Sequence, residues 1–274
     1  MKTWKQTDNK TVLIIKQKTM SKKGQIWKFR IVNPSNFISF LRKLKLVDKS
    51  VPLEIEGEDF FGKARTVDKS VVKFVSVKIK DILEGELPAQ RIKIGVHDIG
   101  KLIDVFKYFG PEEELHLEIT SQPYDGYIVA TEIKFYSLSL NIFIRCADIS
   151  LLTYIDDEIQ KTIHSTDGSL ADFKLGKDVF QKLSQLTNIE SNAEELLNLD
   201  LHENGVTVRG NSFQFHAIKG APANGFESPS VYTIYKNQFS YIDQENSSFH
   251  IQDNRIVVIS EESNSKIAIG LVEC

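Results

Sequence analysis

The sequence predicts an α+β fold of two similar domains, each with two helices packed on antiparallel sheets. Three observations lead there. A strand–helix–strands unit recurs four times, at about 24–90, 91–147, 170–230 and 231–274. One such unit has a single helix and cannot cover both faces of its strands. Two units side by side can, with both helices on one face of a joined sheet. Finally, DISLLTYIDDEIQKTIHSTDG is long for a loop inside a compact domain and suits a domain connector. The expected division is residues 1–147, a connector at 148–169, and residues 170–274.

The clearest unit is RIKIGVHDIGKLIDVFKYFGPEEELHLEIT, residues 91–120. Ile92, Ile94 and Val96 alternate as a strand. Asp98 is placed to cap a helix whose apolar stripe is Ile99, Leu102, Ile103 and Phe106. Gly110 and Pro111 stop it, and Leu115, Leu117 and Ile119 alternate again. Near the start, QIWKFRIV reads as a strand and NPSNFISFLRKLKLVD as a helix with Phe37, Leu41 and Leu44 inward. In the second half, ADFKLG is a strand and KDVFQKLSQLTN a helix with Val179, Phe180, Leu183 and Leu186 on one side. LLNLDLHENGVTVRG reads as a hairpin turning at Glu203–Gly205. VYTIYKNQFSYIDQ runs from a strand into a short helix, and three strands close the chain, with polar turns at Gln252–Asn254 and Glu261–Ser265.

Composition limits the function classes. With 41% hydrophobic and 26% charged residues, the 274-residue chain is an ordinary globular protein of one or two domains. No run of 18 apolar residues suggests a membrane span, and the polar, basic MKTWKQTDNK lacks the apolar core of a signal peptide. Two cysteines, Cys146 and Cys274, fit a reducing cytoplasm, and the six histidines have no metal-ligand spacing. The net charge of −3 hides an asymmetry: residues 1–49 carry 13 Lys or Arg against Asp8 and Asp48 alone. A basic region on an acidic body would focus a polyanion onto one surface; a solvated basic terminus has the same composition.

At this point IKIGVHDIGKLIDVFKYFGPEEELHLEI, the matching DFKLGKDVFQKLSQLTNIE with LDLHENGVTVRG, and the closing FHIQDNRIVVISEESNSKIAIGLVE together resemble the two-domain DNA sliding clamps, the group of the proliferating cell nuclear antigen and the T-even-like phage clamps. The resemblance runs from about Gln25 to the end. The basic N-terminal extension and long connector depart from the compact cellular form and favour a viral or divergent member. The resemblance implies a DNA clamp fold and a ring of three chains around double-stranded DNA, read without base specificity. It implies DNA polymerase and clamp loader as partners, and no cofactor, catalytic residue or metal. The protein would work in the cytoplasm, a host's if viral.

Tracking phosphates needs basic side chains on the inner helix faces. Arg42, Lys45 and Lys49 lie opposite the stripe of the first helix, with Lys43 beside them; Lys101 and Lys107 belong to the second helix, Lys177 and Lys182 to the third, and Lys236 to the fourth. Any amphipathic helix has such a solvated face, and Asp104, Asp178 and Asp243 oppose a uniformly basic lining. A partner-peptide pocket beside the connector is expected from Leu151, Leu152, Tyr154 and Ile155, with Tyr232 and Tyr235 as a second wall. Ordinary core packing would account for the same residues.

An enzyme reading has no P-loop, G-x-G-x-x-G, G-x-S-x-G or H-E-x-x-H to rest on. The acidic runs Asp156–Glu158 and Glu112–Glu114 fall at connectors or turns, where solvated charge is expected. The stronger rival is a monomeric processivity subunit or structural interaction subunit of the same fold that forms no ring.

Overall fold

The computed structural model describes residues 3–7, 10–14, 24–124, 126–152, 155–189, 195–219, 230–260 and 262–272. Tyr154, Glu261 and Cys274, all named above, lie outside the described residues. The basic N-terminal stretch contains a hairpin, β1 (Thr3–Thr7) with β2 (Lys10–Ile14), paired as a two-stranded sheet of its own.

The first half runs β3 (Gln25–Ile31), α1 (Pro34–Lys45), β4 (Val51–Glu56), β5 (Asp59–Arg65), β6 (Val71–Lys78), β7 (Leu83–Gly85), β8 (Ile92–Val96), α2 (Ile99–Val105), β9 (His116–Tyr124), β10 (Tyr127–Tyr136) and β11 (Asn141–Arg145). The connector holds a helix, α3 (Asp157–Ile163). The second half runs β12 (Ala171–Leu175), α4 (Lys177–Thr187), β13 (Leu196–His202), β14 (Gly205–Arg209), β15 (Gln214–Lys219), β16 (Ser230–Tyr235), α5 (Lys236–Phe239), β17 (Ser247–Ile251), β18 (Arg255–Ser260) and β19 (Ser265–Gly270).

The local causes are legible. Asn33 caps α1 by accepting from Asn36 N at 3.0 Å, and Pro34 opens the helix, where its missing N–H costs nothing. Asp98 caps α2 through Lys101 N. Phe37, Phe40, Leu41 and Leu44 of α1 are all buried, and Phe37 meets Phe60 and Phe106 edge-on at 5.6 Å. Each such side chain contributes about 1.5–3 kcal/mol by leaving water. The second cluster is built similarly around Phe180, which stacks on Phe239 and Phe249. Phe106 departs from the expected helix: it begins a tighter 3₁₀ turn, Phe106–Tyr108.

The two halves repeat one another in register. Glu56 pairs with Asp59 across the β4–β5 turn, and His202 with Gly205 across the β13–β14 turn. Phe29 pairs with Leu117 in β3·β9, and Phe173 with Phe249 in β12·β17. Ala147 N donates to Gly95 O at 2.8 Å, and Val272 N donates to Thr233 O at 2.9 Å. The segments leaving β11 and β19 therefore cross β8 and β16 at the same place. By this correspondence β6 matches β15, and β11 matches β19.

One 13-stranded sheet joins the halves through β19 and β6, antiparallel, with Lys266 opposite Phe74 and Ile267 opposite Lys73. The strands matching this joint have no such neighbour among the described residues. β11 pairs with β10 alone, and β15, the end of a four-stranded sheet, with β14 alone. Each therefore presents one open edge.

Candidate DNA-facing helices and connector groove

Helices α1 and α2 pack side by side, and α1 also lies on β5 and β6. Arg42, Lys45 and Lys49 are exposed and Lys43 is half-buried. Three of these four end α1, where positive charge also suits the helix dipole. Lys45 reaches across to α2: a Cβ on Gly100 would lie 3.2 Å from its Nζ. Lys101 and Lys107 are exposed, and Lys107 pairs with Asp104 at 2.6 Å. That pair is open to solvent and weakly held, so either partner can be drawn to a stronger counter-charge. Lys177 and Lys182 are exposed on α4, and Lys236 is half-buried at the start of the one-turn α5.

Asp243 does not oppose these cations. It is 8% exposed and binds Lys73 Nζ at 2.8 Å; the same ammonium donates to Tyr241 O at 2.8 Å. Burial lowers the Lys73 pKa, and the Asp243 carboxylate opposes that shift.

The connector residues do not form one pocket with the tyrosines. Leu151 is 83% exposed, Leu152 half-buried and Ile155 buried. Tyr232 packs against the second core, whereas Tyr235 is 40% exposed. Three residues apart on one strand, the two rings point to opposite faces of β16.

The connector is instead fixed by charge. Asp157, in the first turn of α3, accepts from Lys63 Nζ at 2.6 Å and from both terminal nitrogens of Arg91, at 2.6 and 3.0 Å. Lys63 also donates to Ile155 O at 3.0 Å, and its side chain is fully buried. Arg91 Nε lies against the buried Glu54 carboxylate as an ion pair, without hydrogen-bond alignment. Burial raises the Glu54 pKa, with Arg91 and Lys63 opposing. The Arg91 hydrogen bonds hold Asp157 well below the usual carboxylate range. The expectation of a merely solvated acidic run is thus corrected at Asp157: desolvated cations on β5 and beside β8 seek its charge. At the other end of α3, His164 is 5% exposed, and its two ring nitrogens face Gln160 O and Val72 O, both at 3.1 Å.

Beside this helix is a cavity of about 600 Å³, with Phe61 and Phe74 on one wall and Gln160 and Lys161 on another. The two Phe rings are 5.6 Å apart. None of the six residues expected to line a partner pocket lines this cavity. Among the described residues no cluster of three or more His, Cys, Asp or Glu could hold a metal, and no helix is long and apolar enough to cross a membrane. Cys146 is half-buried, and burial pushes its thiol up to about 12, far from a reactive thiolate.

Solved structures share this arrangement. The proliferating cellular nuclear antigen of Entamoeba histolytica aligns over 90% of this chain and 99% of its own, with a TM-score of 0.65 and 11% identity. The chain has the sliding-clamp fold. The A. fulgidus PCNA, in a structure with the C-terminal region of FEN-1 bound to it, aligns over 90% and 99%, with a TM-score of 0.62 and 12% identity. No protein-family model and no curated protein sequence matches the chain. The clamp fold bears out the α+β expectation of helices packed on large antiparallel sheets. At 11–12% identity the correspondence of elements, rather than of residues, carries the likeness.

Proposed function

We propose that this chain is a non-catalytic DNA sliding clamp that closes into a ring, encircles duplex DNA and tethers replication proteins. The observation that carries this reading is the pair of open edges on β11 and β15. They match β19 and β6, which already join the two halves within the chain. Repeating that joint between chains places β11 of one copy against β15 of the next. The contact is head-to-tail and makes a closed ring wherever the rotation per chain closes. It also removes two exposed strand edges, which otherwise invite aggregation.

The internal repeat supplies a register. Asn141 lies six residues before Ala147, as Lys266 does before Val272, so Asn141 matches Lys266. Gln214, opposite Arg209, matches Phe74, opposite Lys63. Asn141 of one chain is therefore placed opposite Gln214 of the next, and Ile142 opposite Phe213. Three chains, as in the clamps this sequence resembles, would set α1, α2, α4 and α5 around the hole, with Arg42, Lys43, Lys45 and Lys49 as the main phosphate contacts.

Polymerase and clamp loader segments are the proposed partners. A protein segment is bound to the A. fulgidus clamp. The groove beside α3, with Phe61 and Phe74, offers an apolar anchor site here. A cytoplasmic location, that of a host if the protein is viral, belongs to the same proposal.

Cysteines at Asn141 and Gln214 test the ring joint. N141C/Q214C should give disulfide-linked multimers under mild oxidation, at the mass of the untreated oligomer. A chain that stays monomeric and uncrosslinked at all concentrations would leave the ringless alternative, a monomeric processivity or structural subunit.

A further inference from the structure

The repeat that suggests ring closure also creates an ambiguity. β6 and β15 are matching acceptor edges, and β11 and β19 are matching donor edges. Backbone hydrogen bonds alone would let β11 add to β6, or β19 to β15, giving joints between like halves. We infer that the buried Lys73–Asp243 pair selects which edges join; the inference rests on the ring reading above.

Lys73 lies on the inner face of β6 between Val75, in the first core, and Val71, in the second. Its side chain is fully buried and that of Asp243 is 7% exposed, at 2.8 Å. Every partner of the ammonium comes from the second half: Asp243 and Tyr241 O. Ser263 Oγ donates to the other Asp243 oxygen at 3.3 Å. The pair forms only when β6 receives β19.

The matching positions elsewhere are uncharged. Phe213 matches Lys73, next to Gln214 in β15. Asp243 lies four residues before Ser247, and Pro111 lies four before the matching Leu115. A β11·β6 joint would set Ile142 beside Lys73 with Pro111 where the carboxylate is needed, stranding a buried ammonium. A β19·β15 joint would set Asp243 against Phe213, stranding a carboxylate. The ring joint, β11·β15, brings Ile142 to Phe213 and strands nothing. A buried ion pair adds little net stability compared with apolar replacements, but removing one partner is costly. It therefore acts against the wrong joints.

Cysteine pairs read the joints directly. In the full chain, N141C/Q214C reports the correct joint and N141C/F74C reports β11·β6. With Lys73 and Asp243 present, only the first should cross-link between chains. In a K73M/D243L background, with a circular dichroism spectrum matching the parent, N141C/F74C should also cross-link, and light scattering should show more than one mass. K73Q/D243N, which keeps polar partners but no charge, replaces it if the apolar pair does not fold, and should do the same. The inference is overturned if N141C/F74C stays uncrosslinked and the mass stays single in the charge-free backgrounds. A parent protein that is monomeric throughout overturns the ring reading, and this inference with it.

Discussion

Asp157 and Lys63 stand 94 residues apart in sequence, and their side chains meet at 2.6 Å. Through that contact the connector is tied to the middle of the first-half sheet. Arg91 completes the tie with two hydrogen bonds to the same carboxylate. D157N should loosen residues 155–163 while leaving both cores intact. The cost should be about 1–3 kcal/mol, less than a fully buried pair because Asp157 is half open to solvent. Hydrogen exchange of the connector amides checks it: unchanged protection there would remove the role assigned to Asp157.

The same contact has a pH signature. The Asp157 pKa is lowered in the folded state. Its stabilisation is therefore complete above the unfolded-state value near 4 and is lost as pH falls through the folded value. The gap in urea midpoint between the parent and D157N should be constant from pH 7 to 5 and shrink below about pH 4.

His164 predicts a second, higher window. Its pKa is lowered, chiefly by burial, although bonds to Val72 O and Gln160 O favour the proton; Lys266 and Arg255 also disfavour it. A depressed histidine stabilises the fold above its unfolded value, near 6.5, and that contribution is lost as pH falls through the folded value. Comparison with H164N should show the parent losing stability relative to the variant below about pH 6.5. NMR titration of the imidazole should place its midpoint below that of an exposed histidine. A midpoint at or above it would contradict the prediction.

Phosphate contacts should be unequal. R42A, K45A and K49A should each lower the salt dependence of duplex binding by about 0.9 in log–log slope. K107A should change it less, because Lys107 already has Asp104 beside it. Equal slopes for all four variants would remove α1 from the leading role.

A close backbone approach gives a further test. A Cβ on Gly95 would lie 2.1 Å from Ala147 O. G95A should push the start of the connector off β8 and destabilise the fold by about 2 kcal/mol or more, as overpacking against backbone does. Thermal unfolding measures it.

Much of this fold was legible in the sequence, because helix and strand periods come directly from burial. Phe37, Leu41 and Leu44, the cap at Asp98 and the turn after His202 all read correctly. The connector site did not. Its helix is short, with both ends held by distant residues, and no local period marks Lys63 or Arg91 as ligands of Asp157. Tyr232 and Tyr235 looked like one cluster only because strand alternation was not applied to them. Lys73 was invisible for a related reason: a charged residue in an apolar strand signals a buried partner without saying which.

The most direct test of the central claim is solution mass by light scattering at micromolar and sub-micromolar concentration. A ring of six domains predicts a single species near three times 31.2 kDa. A monomer of 31.2 kDa at every concentration would contradict a self-closing ring.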